Sequence, residues 1–377
     1  MQGTYENFIK SLNKYKSYPL EFRICETPLF MSKELTEKII KAAAEIVEQI
    51  RTEEFRKNSE TAVPRELYIP YKNNHPAFIQ IDFAVCKEDA EFVPKLIELQ
   101  AFPTTFCFEP VLDEKYREYF SIPDYLTCYF NEINMKSYTD ILKEILIKDE
   151  DPENVILLEV EPLKQKTKID FALTKEMLGV GTVDISHVVK KGNKLFYKKN
   201  GKEIPVKRIY NRVVYDELVK KNIKINFKFT DDLDTEWADH PSWFFRISKH
   251  SLPYLNGSSV PESYYLEELN KYPDDLENYI LKPLYSFSGY GVEFDVCKEK
   301  LDKIPDKSNY ILQRKIEYAP LIETPDGYSM AEIRMIYFWK DHPLLVNNLV
   351  RMSKGRMMGL DFNKNKTWVG SSLAYHP

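Results

Sequence analysis

The sequence predicts a mixed α+β and α/β chain of more than one structural unit, and three observations predict it. Residues 32–51 carry apolar side chains at Ile39, Ile40, Ala43, Ile46, Val47 and Ile50, a helical spacing with Ser32 placed to cap it. A short apolar run at 155–160 precedes a helical stretch at 167–178 and a β segment at 181–185, the order of a small doubly wound unit. From about residue 226 the pattern becomes an α+β mixture. With 377 residues, 43% of them hydrophobic, the chain can bury a large core in two or three units.

The remaining elements follow in order. Residues 77–85 and 94–103 read as two strands joined by a charged turn at 87–89, and residues 111–148 read as amphipathic helix ending in an acidic, proline-containing boundary. A hairpin is predicted at 193–202, turning at Asn200 and Gly201, before a further β segment at 206–214. The domain reading is residues 1–110 as a helical region with two strands, 111–221 as an α/β unit, and 222–377 as a third part.

Composition excludes several classes of function. Net charge is −5 with pI ≈ 5.9 and no long basic run, so no nucleic-acid partner is expected. Five scattered cysteines without C-x-x-C spacing argue for a reducing compartment and against zinc or a disulfide framework. No apolar run reaches membrane-spanning length and the first residues do not read as a signal peptide; the expectation is a cytoplasmic protein without a membrane partner. Aromatic content of 14% falls mostly in strand-like segments, where β propensity accounts for it. The six histidines show no metal spacing and no G-x-S-x-G elbow occurs, so no nucleophile constellation emerges; His240 and His250 read as structural.

The most informative stretch is 278–296. It reads as an apolar strand ending in Lys282, a Ser/Gly loop with Ser286, Ser288, Gly289 and Gly291, and a second strand over 292–296. A lysine beside a loop whose glycines let backbone N–H groups approach an anion suits nucleotide phosphates. The loop matches neither the Walker-type phosphate loop nor the dinucleotide turn. Upstream, Lys249 offers a second point charge for a polyphosphate.

Other polar positions share strand faces. Glu98 and Gln100 lie two apart, opposite the core-facing Ile97 and Leu99, and Asp82 sits in the neighbouring strand, an oxygen set that could serve Mg²⁺. Gln313 to Ile316, including Lys315, forms a polar linker after an apolar strand, suited to an adenine edge. Glu332 and Arg334 share a face of a later strand, and Arg351 opens a basic, glycine-bearing strand end suited to a carboxylate or phosphate.

Lys249, Lys282 with its loop, the 313–316 linker and Glu332-x-Arg334 together resemble an ATP-grasp domain. The acidic-x-amide strand, Glu98-Leu-Gln100, precedes the lysines instead of following the linker. That order resembles the circularly permuted ATP-grasp enzymes, such as glutathionylspermidine synthases and eukaryotic-type glutathione synthetases. The resemblance spans most of residues 77–377 and implies a permuted ATP-grasp fold with an inserted Rossmann-like unit. It implies ATP and Mg²⁺ as cofactors, with Asp82, Glu98 and Gln100 on the metal and Lys249, Lys282 and the 286–291 loop on phosphates. Gln313, Lys315 and Ile316 would face adenine, Arg334 the transferring phosphoryl group, and Arg351 the substrate carboxylate. Two departures stand out: Gln100 replaces the usual Asn, and Gln80 stands where the glutathionylspermidine synthases have Arg. The implied activity is ATP-dependent C–N ligation of a small-molecule or peptide carboxylate to an amine. A small-molecule kinase and a non-catalytic nucleotide-binding scaffold are the alternatives. The oligomeric state is not indicated.

Overall fold

The computed structural model describes residues 2–69, 75–286, 289–355, 358, 363 and 365–377. Its centre is an antiparallel sheet drawn from both ends of the chain. Strands Phe78–Glu88 and Glu91–Gln100 form a hairpin whose first member pairs with Gly327–Trp339; Pro343–Ser353 and Gly370–Ser372 follow outward, and Ile322–Thr324 pairs with the start of the long strand. Pro94 is tolerated inside Glu91–Gln100 because that strand is at the sheet edge, where one missing N–H breaks no ladder. One face presents Ile81, Phe83, Ile333, Met335, Val350 and Met352 to a core that also receives Ile39, Ala43, Ile46 and Val47 from helix Lys33–Ile50. The Leu35 N–H donates to the Ser32 hydroxyl, the cap expected from the sequence, a bond of a kind that contributes about 1 kcal/mol.

The last short strand is locked by close backbone approach. Gly370 has φ +117° and its Cα faces the Arg23 carbonyl so closely that an added Cβ would lie 2.5 Å from the oxygen. Only glycine fits there without moving one chain segment away from the other.

The α/β unit is a four-stranded parallel sheet in the order Glu236–Trp237, Arg208–Asn211, Val155–Glu159, Gly181–Asp184. Val155–Glu159 is buried at every position, as a strand covered on both faces requires. Helix Lys168–Leu178 makes the crossover and ends at Gly179 in the left-handed conformation. Val189–Lys191, Lys194–Lys199 and Lys202–Val206 form a separate antiparallel sheet, turning at Asn200 (φ 50°) and Gly201 (φ 78°). A third, small antiparallel sheet holds Tyr310–Arg314 between Ser263–Tyr265 and Tyr279–Pro283.

Two sequence expectations need correction. The helix predicted over 111–148 is two helices, Phe108–Tyr119 and Met135–Ile147. Asn131 and Glu132 take positive φ between them, and Asn134 with Ser137 forms a capping box that starts the second helix afresh. The strand predicted at 292–296 is a single bridge, Leu281 to Glu293. The strand carrying Lys282 instead pairs along its length with Tyr310–Arg314. No helix among the described residues is long and apolar enough to cross a membrane.

Candidate functional site

Register brings the polar residues together. On the face of the central sheet opposite the apolar core, Asp82 lies across from Glu98 on one side and Arg334 on the other. Gln80 lies opposite Gln100, and Glu332 opposite Arg351. Four strands thus place two arginines, three carboxylates and two amides in one patch, because alternate residues of a pleated strand share a face.

Arg334 grips Asp82 with a two-pronged fork, Nε to Oδ1 at 2.6 Å and Nη2 to Oδ2 at 2.7 Å, and its Nη1 donates to Gln80 at 3.0 Å. Arg351 donates to both Asp82 and Glu332, and the Tyr318 hydroxyl donates to the second Glu332 oxygen at 3.1 Å. Burial raises the Glu332 carboxyl above the ordinary range, with Arg351 opposing. With its amide turned so that oxygen faces the guanidinium, Gln100 accepts from Arg334 at 3.0 and 3.2 Å.

Glu98 is in a different position. It faces Lys249 Nζ at 3.2 Å and Arg351 at 4.0 Å. Burial disfavours its charge, but Lys249, Arg351, Lys282 and Arg334 together outweigh burial and hold its carboxyl below the usual range. Lys249 starts the short helical turn Lys249–Tyr254, which Ser248 caps, and also donates to the Ser286 carbonyl at 2.8 Å. Lys282, from the small sheet, reaches across to the Ile97 carbonyl of the large sheet at 3.0 Å. Burial pulls its ammonium down to about 8, with Glu98 opposing and Lys249 adding to the fall.

Of these groups, Glu98, Gln100, Lys249, Arg334 and Arg351 line a cavity of ≈ 340 Å³, whereas Lys282, Asp82, Gln80 and Glu332 do not. Ser286 also lines it, and the α/β unit contributes a second group, Glu159, Gln165, Thr167, Arg212 and Glu217. The second group was not singled out from sequence. A signal was present: Glu159 and Arg212 stand at the C-terminal ends of neighbouring parallel strands, where open α/β sheets bind ligands. Burial raises Glu159 to about 8 and Asp170, beneath Arg212, to about 6; Arg212 opposes both.

Other expected residues are placed as follows. Ser286 is at the cavity wall, its hydroxyl buried without a hydrogen-bond partner. Gly289 and Gly291 take positive φ, and a Cβ on Gly291 would meet the Pro283 ring at 2.8 Å. Ser288 lies outside the described residues. Gln313, Lys315 and Ile316 do not line this cavity. Lys315 donates to the Glu277 carbonyl, whereas Gln313 is fully buried with neither amide atom partnered.

No protein-family model and no curated protein matches the sequence. Among solved structures, the chain is similar to the apo structure of a glutathione synthetase-like effector, GSS30, from Globodera pallida. The two share a TM-score of 0.59 and 11% identity, over 100% of this chain and 96% of that one. The likeness is one of fold: this chain has a glutathione synthetase-like fold.

Proposed function

We propose that the chain is an ATP-dependent carboxylate–amine ligase with a circularly permuted ATP-grasp site. The observation that carries the reading is the convergence of Lys249, Lys282, Arg334 and Arg351 on Glu98 between two antiparallel sheets. Four cations against Asp82, Glu98 and Glu332 leave a local excess of positive charge, which suits a polyphosphate. The glutathione synthetase-like fold and the α/β residues in the cavity lining support the same reading.

In this reading a substrate carboxylate oxygen attacks the γ-phosphorus of ATP and ADP departs, leaving an acyl phosphate. An amine then attacks the acyl carbon, loses a proton and expels inorganic phosphate, leaving an amide. The protein contributes position and charge. Lys249 and Lys282 meet phosphate oxygens, Arg351 orients the reacting carboxylate, and Arg212, from the α/β unit, anchors a second anionic group of the substrate. Gln313 lies outside the cavity lining, fully buried with neither amide atom partnered, and a base that reached it would satisfy both a donor and an acceptor.

Magnesium was expected on Asp82, Glu98 and Gln100. The donor set does not fit an oxygen cage: both Asp82 oxygens are held by guanidinium groups and the Gln100 oxygen faces Arg334. No step above passes through a protein-held metal.

The test is product analysis with ATP, a panel of small carboxylic acids and peptides, and a panel of amines. A ligase releases ADP and inorganic phosphate only when acid and amine are both present, and Lys282→Met abolishes release. A phosphorylated product without free phosphate would make the chain a kinase. ATP turnover unchanged in Lys282→Met would overturn the site.

A further inference from the structure

We propose that Arg334 stands as a built-in cation where a divalent ion was expected, so that this chain binds the phosphates of ATP without a metal held by Asp82, Glu98 and Gln100. The inference rests on the nucleotide reading above for its ligand, but its metal half can be tested alone.

A hard divalent cation needs carboxylate and carbonyl oxygens with open lone pairs. Asp82 has none to spare. It is 1% exposed, and its two oxygens take the Arg334 fork at 2.6 and 2.7 Å plus a contact from Arg351. The two amides complete the arrangement, Gln80 at 3.0 Å and the turned Gln100 at 3.0 and 3.2 Å from the same guanidinium. Asp82 and Gln100, two of the three expected metal ligands, therefore coordinate the arginine.

Strand register fixes the substitution. Arg334 is directly opposite Asp82 in the ladder, so the guanidinium is delivered by the backbone. A metal entering here would have to displace charge-assisted bonds and leave a buried guanidinium without a counter-charge. Glu98, the third expected ligand, lines the cavity, and Lys249 already pairs with it at 3.2 Å. Among the described residues, no group of three or more His, Cys, Asp or Glu side chains is arranged to hold a metal ion. The charge of a polyphosphate is then met by Lys249 and Lys282, Arg351 is left to the reacting carboxylate, and Arg334 is a positioning residue that holds Asp82 and Gln100 in place.

Two measurements on the wild-type chain decide the matter. The first is Mn²⁺ binding to nucleotide-free protein, read from the free-ion paramagnetic resonance signal. The expected result is no bound Mn²⁺ in wild type and a new site in Arg334→Gln, where Asp82 and Gln100 are released. The second is ATP affinity by calorimetry in Mg²⁺ and in EDTA, expected to differ by no more than about threefold. One bound Mn²⁺ in wild type, lost in Asp82→Asn and Glu98→Gln, would overturn the proposal. So would an EDTA loss of about thirtyfold or more, or an Arg334→Gln protein that folds and gains no Mn²⁺ site. If Arg334→Gln does not fold, the wild-type measurements still decide. Absence of ATP binding in both buffers would overturn the nucleotide reading, a result distinct from any Mn²⁺ outcome.

Discussion

Asp82 and Asp170 are both buried carboxylates facing arginines, yet they are satisfied to different degrees. Asp82 meets Arg334 at 2.6 and 2.7 Å with Arg351 closing in as well. Asp170 lies 3.9 Å from Arg212, one oxygen accepting the Cys107 and Phe108 N–H groups at 2.9 and 3.0 Å and the other unpartnered. Arg212 Nε is also without a hydrogen-bond partner. A buried charge with every lone pair engaged is part of the scaffold, and one left short is where a ligand adds most. The contrast is between the two carboxylates; in the cavity lining both sides keep unmet donors, Arg351 Nε and the Ser286 hydroxyl on one and Arg212 Nε on the other.

The sharpest way to break this contrast is to neutralise each aspartate. Asp82→Asn leaves Arg334 and Arg351 facing an uncharged group in a buried patch, so a loss of about 3–5 kcal/mol is expected. Asp170→Asn keeps an oxygen for the two N–H groups and removes a charge that burial already disfavours, so a loss of about 1 kcal/mol or less is expected. Urea unfolding of both variants checks the pair; equal losses would mean that the contrast has no energetic meaning.

How much of this was legible in the sequence follows the range of the interactions. The helix over 33–50, the β-α-β unit and the alternating strand faces depend on neighbours within a few residues, and periodicity displays them. The shared face of Glu98 and Gln100 could be read for the same reason. The Asp82–Arg334 pair could not: the two residues are 252 positions apart, and only the pairing of distant strands sets them opposite. Local pattern also ran two helices together, because the left-handed backbone at Asn131 and Glu132 leaves no mark in the apolar spacing. Arg212 and Glu159 were within reach, since strand C-termini in a parallel sheet are a known place to look.

The next prediction concerns pH at Lys282, which reaches from the small sheet to the Ile97 carbonyl of the large one. Burial lowers Lys282 to about 8 from the ordinary 10.5. Below pH about 8 the lysine is charged in both folded and unfolded chains and its burial penalty is full. Between about 8 and 10.5 the unfolded chain holds a proton that the folded chain has released, so stability rises with pH across that window. The contribution of this one group is about 3 kcal/mol at most, and it should vanish in Lys282→Met. ATP affinity should move the opposite way, falling as pH passes about 8 and the ammonium charge is lost. Calorimetry from pH 7 to 9.5 checks this, with Lys282→Arg expected to flatten the profile. An affinity that does not change over this range in wild type would detach Lys282 from the phosphates.

The smallest effect tests the contrast at a third position. Gln313 is fully buried in the middle strand of the small sheet, with neither its amide nitrogen nor its oxygen partnered. An apolar side chain of similar length removes that unmet demand, so Gln313→Met should raise stability by about 1 kcal/mol. If the amide is held in reserve for a nucleotide base, the same change should weaken ATP binding by about tenfold, because the ligand loses a partner already stripped of water. Opposite signs for stability and affinity are what an unsaturated, ligand-facing group produces. Loss of stability together with unchanged affinity would instead make Gln313 part of the scaffold, in the same class as Asp82.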